Sequence, residues 1–110
     1  MRVLELAPQV FVTGQLFEAD LKLAAGQGVR SIVNTRDDGE GAGQPSSADL
    51  ARAAEALGMT FEQFPVNPQS ISDDDVVAFR NLCDRLERPL LLFSRAGRRA
   101  TKIWEMAESD

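Results

Sequence analysis

The chain has 110 residues, of which 44% are hydrophobic and 26% are charged, enough for one domain (residues 1–110) with a single lean core. Its 12 basic and 17 acidic side chains give a formal net charge of −5, which excludes the broad cationic surface needed for sequence-independent nucleic-acid binding. There is no histidine, so Ser-His-Asp triads, Cys-His pairs and HExxH zinc sites are excluded together.

Cysteine content and hydropathy bear on the cellular compartment. The single cysteine cannot form an internal disulfide, and the longest apolar runs are too short to span a bilayer. The amino-terminal residues lack the apolar stretch of a signal peptide. We therefore expect a cytoplasmic domain without membrane contact, and no pattern indicates a particular oligomeric state.

The first half of the chain alternates between strand and helix patterns. Residues 10–13 and 29–33 are rich in β-branched side chains and predict two strands. Residues 17–25, between them, carry apolar side chains at helical spacing, and glycines follow as a stop signal. After a polar, glycine-containing loop, residues 50–57 show an i, i+3, i+4, i+7 apolar stripe that predicts a second helix.

The second half continues the alternation. Residues 59–64 alternate as a third strand, and Ser72 followed by three aspartates marks the start of a third helix. Residues 90–93 (LLLF) form a continuous apolar run, which is typical of a strand buried on both faces. A last helix begins near Arg98 or Arg99. This order predicts an α/β fold: a small three-layer sandwich with a mainly parallel sheet of four to five strands.

The loop that follows the 90–93 strand, SRAGRR at 94–99, is the segment most suited to chemistry. In open α/β sheets ligands bind at the carboxyl ends of strands, where a loop entering a helix aims backbone N–H groups at one point. Gly97 permits close backbone approach, and Arg99 has the fork geometry to bind two anion oxygens. A turn with solvated arginines is the alternative. We predict an anion site formed by Ser94, Arg95, Ala96, Gly97, Arg98 and Arg99.

The loop also carries a family resemblance. With serine in place of cysteine it resembles the Cys-x-x-Gly-x-Arg signature of rhodanese sulfurtransferases, one residue shorter than the loop of protein tyrosine phosphatases. Together with VTGQL, SIVNTRDDGE and GQPS, it is similar over residues 8–107 to a bacterial family of phosphatase-like domains, found alone or fused to β-lactamase-like metallohydrolases. The resemblance implies a dual-specificity-phosphatase-like fold with a short loop, and some members are labelled sulfur transferases.

The resemblance implies roles for individual residues. Ser94 occupies the position of the nucleophilic cysteine, and Arg99 clamps the substrate oxyanion. Phosphatases of this fold take a general-acid aspartate from a separate loop, but the matching stretch here carries Asn67. Asp73 is the nearest acidic residue downstream, and the aspartates at 37–38 are further candidates.

The implied ligand is a phosphorylated or other oxyanion substrate, with no cofactor and no metal. A partner hydrolase or oxidoreductase is also expected. Arg36 follows the end of a strand, so it is either a further anion-binding residue at the pocket mouth or a surface arginine.

Serine at position 94 is a departure from the family motif. Its hydroxyl ionises far less readily than a thiol, the chain has no histidine to activate it, and serine cannot carry a persulfide. The chain as given is therefore expected to be inactive. Three interpretations stay open: a cysteine-to-serine form of a phosphatase that acts through phosphocysteine, a form of a rhodanese-like sulfurtransferase, or a non-catalytic module that binds anions or docks a partner.

We expect structural rather than catalytic roles for the other conspicuous residues. Cys83 falls in the apolar stripe of the third helix and is expected to be buried rather than nucleophilic. The aspartates at 73–75 splay around a helix start, which favours interaction with the helix dipole over metal binding. The glycine run at 39–44 lacks the GxGxxG spacing and predicts a mobile loop. Trp104 is expected to pack in the core.

Overall fold

A computed structural model describes residues 1–109. Within them lie five strands and four helices in the order β1 (Val3–Ala7), β2 (Val10–Thr13), α1 (Glu18–Gly26), β3 (Ser31–Asn34), α2 (Ser47–Ala56), β4 (Thr60–Gln63), α3 (Asp73–Arg85), β5 (Leu90–Phe93) and α4 (Arg98–Glu108).

The strands form one five-stranded sheet in the order β1-β2-β5-β3-β4. Strand β5 lies in the middle and runs parallel to β2 and β3, and β4 is parallel to β3. Only the edge pair β1–β2, among residues 1–109, is antiparallel. The predicted mainly parallel α/β fold is therefore confirmed, and the predicted strands agree with the observed ones to within two residues at either end.

Strand β1 is the one element that the sequence pattern did not predict. Its residues are exposed or half-exposed, because it forms an edge of the sheet and carries no buried apolar face. It turns into β2 through Pro8 and Gln9, and Gln9 adopts a positive φ of 62°. The Asn-Gly or Asp-Gly pair that usually announces a hairpin is absent from this turn, so the hairpin has no strong local signature.

The core consists of two apolar layers, one on each face of the sheet, and β5 contributes to both. Leu90 and Leu92 pack against α3 and α4, whereas Leu91 and Phe93 pack on the opposite side with residues of α1 and α2. These four side chains are essentially inaccessible to solvent. Alternation of side chains across a strand explains how one short run supplies both layers. The predicted three-layer arrangement follows from it.

Helices α3 and α4 begin where the sequence signals place them, whereas α2 begins at Ser47, three residues before the predicted stripe at 50–57. Ser72 Oγ accepts a hydrogen bond from Asp75 N at 3.1 Å, and the Asp75 carboxylate accepts one from Ser72 N at 3.0 Å, so α3 starts with a reciprocal capping box. Cys83 and Trp104 are both buried in the layer under α3 and α4, as predicted. No helix within residues 1–109 combines the length and hydropathy needed to cross a bilayer.

Candidate functional site

The loop that joins β5 to α4 packs closely on the end of β2. Gly97 precedes α4 with a φ of 86°, in the left-handed region, and a Cβ there would lie 3.4 Å from Thr13 O. A Cβ on Gly14 would lie only 3.1 Å from Arg95 O. The two glycines thus allow backbone segments from neighbouring strands to meet without side chains between them.

Ser94 lies at the base of a pocket formed by this loop. Its side chain is almost fully buried, and its Oγ accepts a hydrogen bond from Ala100 N at 3.3 Å. Among the hydrogen bonds of residues 1–109, none is donated by a backbone N–H of residues 95–99. The pocket has a volume of about 520 Å³ and is lined by Pro68, Ser94, Arg95, Ala96, Arg98 and Arg99. Unpartnered N–H groups at the start of a helix are well suited to an anion.

The guanidinium of Arg99 is fixed along one edge. Its Nη1 and Nη2 donate to the two carboxylate oxygens of Glu40 at 2.9 and 3.0 Å, and Nη1 also reaches Thr35 O at 3.3 Å. Its Nε is buried and has no hydrogen-bond partner within residues 1–109. Buried N–H groups are normally paired, so this one marks a place where the protein offers a donor.

Glu40 is a site residue that sequence reasoning missed. Its carboxylate also accepts from Arg36 Nε at 3.2 Å and from Asp37 N at 2.8 Å. The hydrogen bond from Arg99 is the largest cause that lowers the Glu40 pKa to about 2, against the opposing effect of burial. Glu40 is therefore an anion at neutral pH and cannot serve there as a general acid.

Hydrogen bonds within the segment around Glu40 link its two ends. Gln44 Nε2 donates to Asp37 O at 2.8 Å, and Gly41 N donates to Gln44 Oε1 at 3.2 Å. The sequence signal that could have pointed to Glu40 is its place in the SIVNTRDDGE stretch, which carries the family resemblance. Its partner Arg99 lies 59 positions further along the chain, so the contact itself has no local sequence signal.

Arg36 is buried rather than on the surface. Its side chain is only 6% exposed, and its Nη1 donates to Gln15 Oε1 at 2.7 Å. It lines a neighbouring pocket of about 410 Å³ on the other side of Arg95, together with Gln15 and Glu40. It does not line the Ser94 pocket, so a direct contact between Arg36 and an anion there stays a prediction.

No carboxylate among residues 1–109 lines the Ser94 pocket. Asp73 is the exposed first residue of α3, and its role as a general acid stays a prediction. Asp38 instead accepts a hydrogen bond from Ser47 N at 2.9 Å, and Asn67 Oδ1 accepts one from Gln69 N at 3.0 Å. Within residues 1–109, no three or more Cys, Asp or Glu side chains are clustered so that they could bind a metal ion.

Comparisons with known proteins give a consistent picture. The family model described as "Beta-lactamase hydrolase-like protein, phosphatase-like domain" matches residues 2–110. A beta-lactamase hydrolase-like protein of Agrobacterium fabrum is 31% identical over 109 residues, covering 99% of this chain and 25% of that protein. One from Xylella fastidiosa is 30% identical over 108 residues, covering 98% of this chain and again 25% of the relative. The chain therefore spans about a quarter of the length of these curated relatives.

Solved structures agree at the level of the fold. A candidate phosphatase from Neisseria meningitidis is 32% identical, with a TM-score of 0.91 over 99% of this chain and 78% of that one. A cysteine-to-serine form of TpbA from P. aeruginosa, in complex with phosphotyrosine, has a TM-score of 0.65 over 86% of this chain and 54% of that one, at 16% identity. The second similarity supports a dual-specificity-phosphatase-like fold alone. By the match along nearly its whole length, the chain belongs to the family of phosphatase-like domains of beta-lactamase hydrolase-like proteins.

Proposed function

We propose that the loop at 94–99 binds phosphate or a similar oxyanion, and that with cysteine at position 94 the site hydrolyses phosphomonoesters. The observation that carries this proposal is the set of backbone N–H groups at 95–99 that donate to no other described residue, in a pocket that Arg99 also lines. Unpaired N–H groups at a helix start and a neighbouring guanidinium are well suited to hold an oxyanion. The family match supports the same reaction class.

In the cysteine form the chemistry is a double displacement. The thiolate attacks phosphorus, the bond from phosphorus to the leaving oxygen breaks, and a phosphocysteine forms. Water then cleaves the S–P bond, which releases phosphate and regenerates the thiol. Arg99 and the loop N–H groups stabilise the negative charge on the phosphoryl oxygens throughout.

The chain as given lacks two parts of this mechanism. The chain has no histidine, and no carboxylate of residues 1–109 lines the pocket to take the proton of the Ser94 hydroxyl, so Ser94 is a poor nucleophile. No acid among the described residues lines the pocket to protonate a leaving group. We infer that this chain binds oxyanions without turning them over, and that the cysteine form prefers esters whose leaving group needs no proton.

Hydrolysis of p-nitrophenyl phosphate tests the proposal, because p-nitrophenolate leaves unprotonated. We expect activity in Ser94→Cys and none in the chain as given. In Ser94→Cys/Arg99→Ala we expect a loss of roughly 10²–10³-fold, the usual effect of removing one donor to a developing oxyanion. Circular dichroism verifies that each form is folded. A folded but inactive Ser94→Cys form, or a double variant as active as the single one, would contradict phosphatase chemistry.

Sulfur transfer is a second candidate, and two observations favour it. Four residues separate Ser94 from Arg99, which is the rhodanese spacing, and no acid within residues 1–109 lines the pocket. In that reaction the thiolate of Ser94→Cys takes the sulfane sulfur of thiosulfate, releases sulfite, and passes the sulfur to cyanide as thiocyanate. Thiocyanate formation without phosphate-ester hydrolysis would select this reaction. Phosphate binding without either activity would identify an anion-binding module.

A further inference from the structure

A further cleft lies beside the oxyanion pocket, between the β1–β2 hairpin and the start of α4. It has a volume of about 560 Å³, and its lining includes Arg2, Leu4, Thr13, Arg98, Lys102 and Glu105. We call it the basic cleft. Ala96 and Arg98 line both this cleft and the Ser94 pocket, so the two cavities adjoin along the same loop.

We propose that the basic cleft binds an acidic segment of a phosphorylated polypeptide, next to the phosphorylated residue whose phosphate enters the Ser94 pocket. This inference rests on the proposed function and adds the class of substrate: a phosphorylated residue flanked by Asp or Glu, rather than an isolated phosphate ester.

The charge of the cleft is the first argument. Three cations and one carboxylate line it, in a protein whose acidic side chains outnumber its basic ones by 17 to 12. Arg2 and Arg98 form no ion pair within residues 1–109, and Lys102 donates only to the carbonyl of Pro68, at 2.9 Å. Cations that are left unpaired in an acidic protein create a local positive potential, which favours an anionic partner.

The apolar part of the lining is the second argument. Leu4 is 64% exposed although it is a leucine, and it lines the cleft from the edge strand β1. An inorganic anion gains nothing from such a surface, whereas the aliphatic part of an extended peptide buries apolar area against it. The small number of cations and the net charge of −5 disfavour a nucleic-acid strand.

The geometry of the hairpin is the third argument, because it fixes the cleft in place. Thr13 Oγ1 donates to Arg2 O at 2.7 Å, which links the end of β2 to the chain just before β1. Val3 pairs with Thr13 in the same hairpin. Arg2 is therefore attached to the strand that supports the anion loop, and a substrate that reaches both cavities meets one preformed surface.

Phosphopeptide binding tests the inference in the chain as given, which is not expected to hydrolyse its ligand. The probes are two fluorescent phosphotyrosine peptides, one with Glu at the two positions on each side and one with Gln there, beside their unphosphorylated forms. Fluorescence anisotropy at low salt measures each dissociation constant. We expect the acidic phosphopeptide to bind about fivefold to tenfold more tightly than the neutral one, as two or three exposed charge pairs would provide.

The test variant is Arg2→Gln/Lys102→Gln, which removes two cations of the cleft and leaves the loop intact. We expect the preference for the acidic phosphopeptide to fall below twofold, with little change for the neutral one. The control Lys22→Gln/Arg85→Gln removes two exposed positive charges outside both cavities and is expected to keep the preference.

The outcomes separate the two proposals. If neither phosphopeptide binds better than its unphosphorylated form, the proposed function fails and the inference fails with it. If both phosphopeptides bind but equally well, or if the cleft variant keeps the acidic preference, the inference alone is overturned.

Discussion

At the level of single residues, Arg99 combines two tasks that a lysine could not. The Glu40 carboxylate binds its two terminal nitrogens and fixes the plane of the guanidinium, while Nε has no partner among the described residues. Glu40 is shared with Arg36, so two guanidinium groups face one carboxylate and the cluster keeps a net positive charge. The Glu40 carboxylate therefore orients Arg99 without cancelling the attraction of the two guanidinium groups for an anion.

The same residues predict how a thiol behaves at position 94. In Ser94→Cys, the N–H of Ala100, the start of α4 and Arg99 all favour the thiolate, so its pKa should fall well below the usual value of about 8.5. Burial instead raises the pKa of the Cys83 thiol to about 12. Alkylation by iodoacetamide, followed by mass spectrometry between pH 5 and 10, should show one fast-reacting thiol in the variant and none near neutral pH in the chain as given.

The control for this experiment is Ser94→Cys/Arg99→Ala. Loss of the guanidinium should shift the alkylation profile to higher pH, because one of the three groups that favour the thiolate is gone. A profile of Ser94→Cys centred at or above pH 8.5 would show that the loop does not stabilise a negative charge at this position.

At the level of elements, the conformation of the loop depends on Gly97. Alanine there must adopt a φ of 86° and place its Cβ 3.4 Å from Thr13 O, so we expect Gly97→Ala to lower the free energy of unfolding by about 1–2 kcal/mol. Gly26, the last residue of α1, has no atom within 4 Å of a Cβ and no positive φ. Gly26→Ala should instead leave stability unchanged or raise it by up to about 1 kcal/mol.

Urea denaturation of both variants checks this contrast, and phosphate binding gives a second readout. Gly97→Ala should also weaken phosphate binding, since the displaced loop no longer aims its N–H groups at one point. Equal effects of the two substitutions on stability would mean that the loop relaxes around the new methyl group.

Element by element, hydrophobic periodicity predicted what is buried and local. The run at 90–93 and the capped start of α3 were legible because the physical cause lies within a few adjacent residues. Strand β1 was missed because an exposed edge strand has no buried stripe. The link between Glu40 and Arg99 was missed because it joins side chains 59 positions apart, a contact that only the assembled sheet creates.

At the level of the whole molecule, the site and the core share one strand. Strand β5 supplies both apolar layers and leads directly into the anion loop, so the position of the loop is fixed by packing on both faces of the sheet. The pair between Glu40 and Arg99 then connects the segment after β3 to the first turn of α4. A change in the charge of Glu40 should therefore affect the stability of the complete fold and not the loop alone.

The sign of that effect follows from the Glu40 pKa, which is about 2 in the folded chain against an ordinary value of 4.5. A carboxyl with a lowered pKa stabilises the fold above its unfolded pKa, and the stabilisation disappears as the pH falls towards the folded value. At pH 7 we expect Glu40→Gln to lower the free energy of unfolding by about 1–2 kcal/mol relative to the parent chain, as measured by urea denaturation. The difference should persist to pH 5 and shrink progressively between pH 4.5 and 2.5.

The control is Glu55→Gln, which removes the same charge from an exposed position on α2 that makes no ion pair with the described residues. It shows what the loss of one negative charge does to stability without the contact to Arg99. A difference for Glu40→Gln that stays constant down to pH 2.5 would show that the carboxylate is not held as an anion by Arg99.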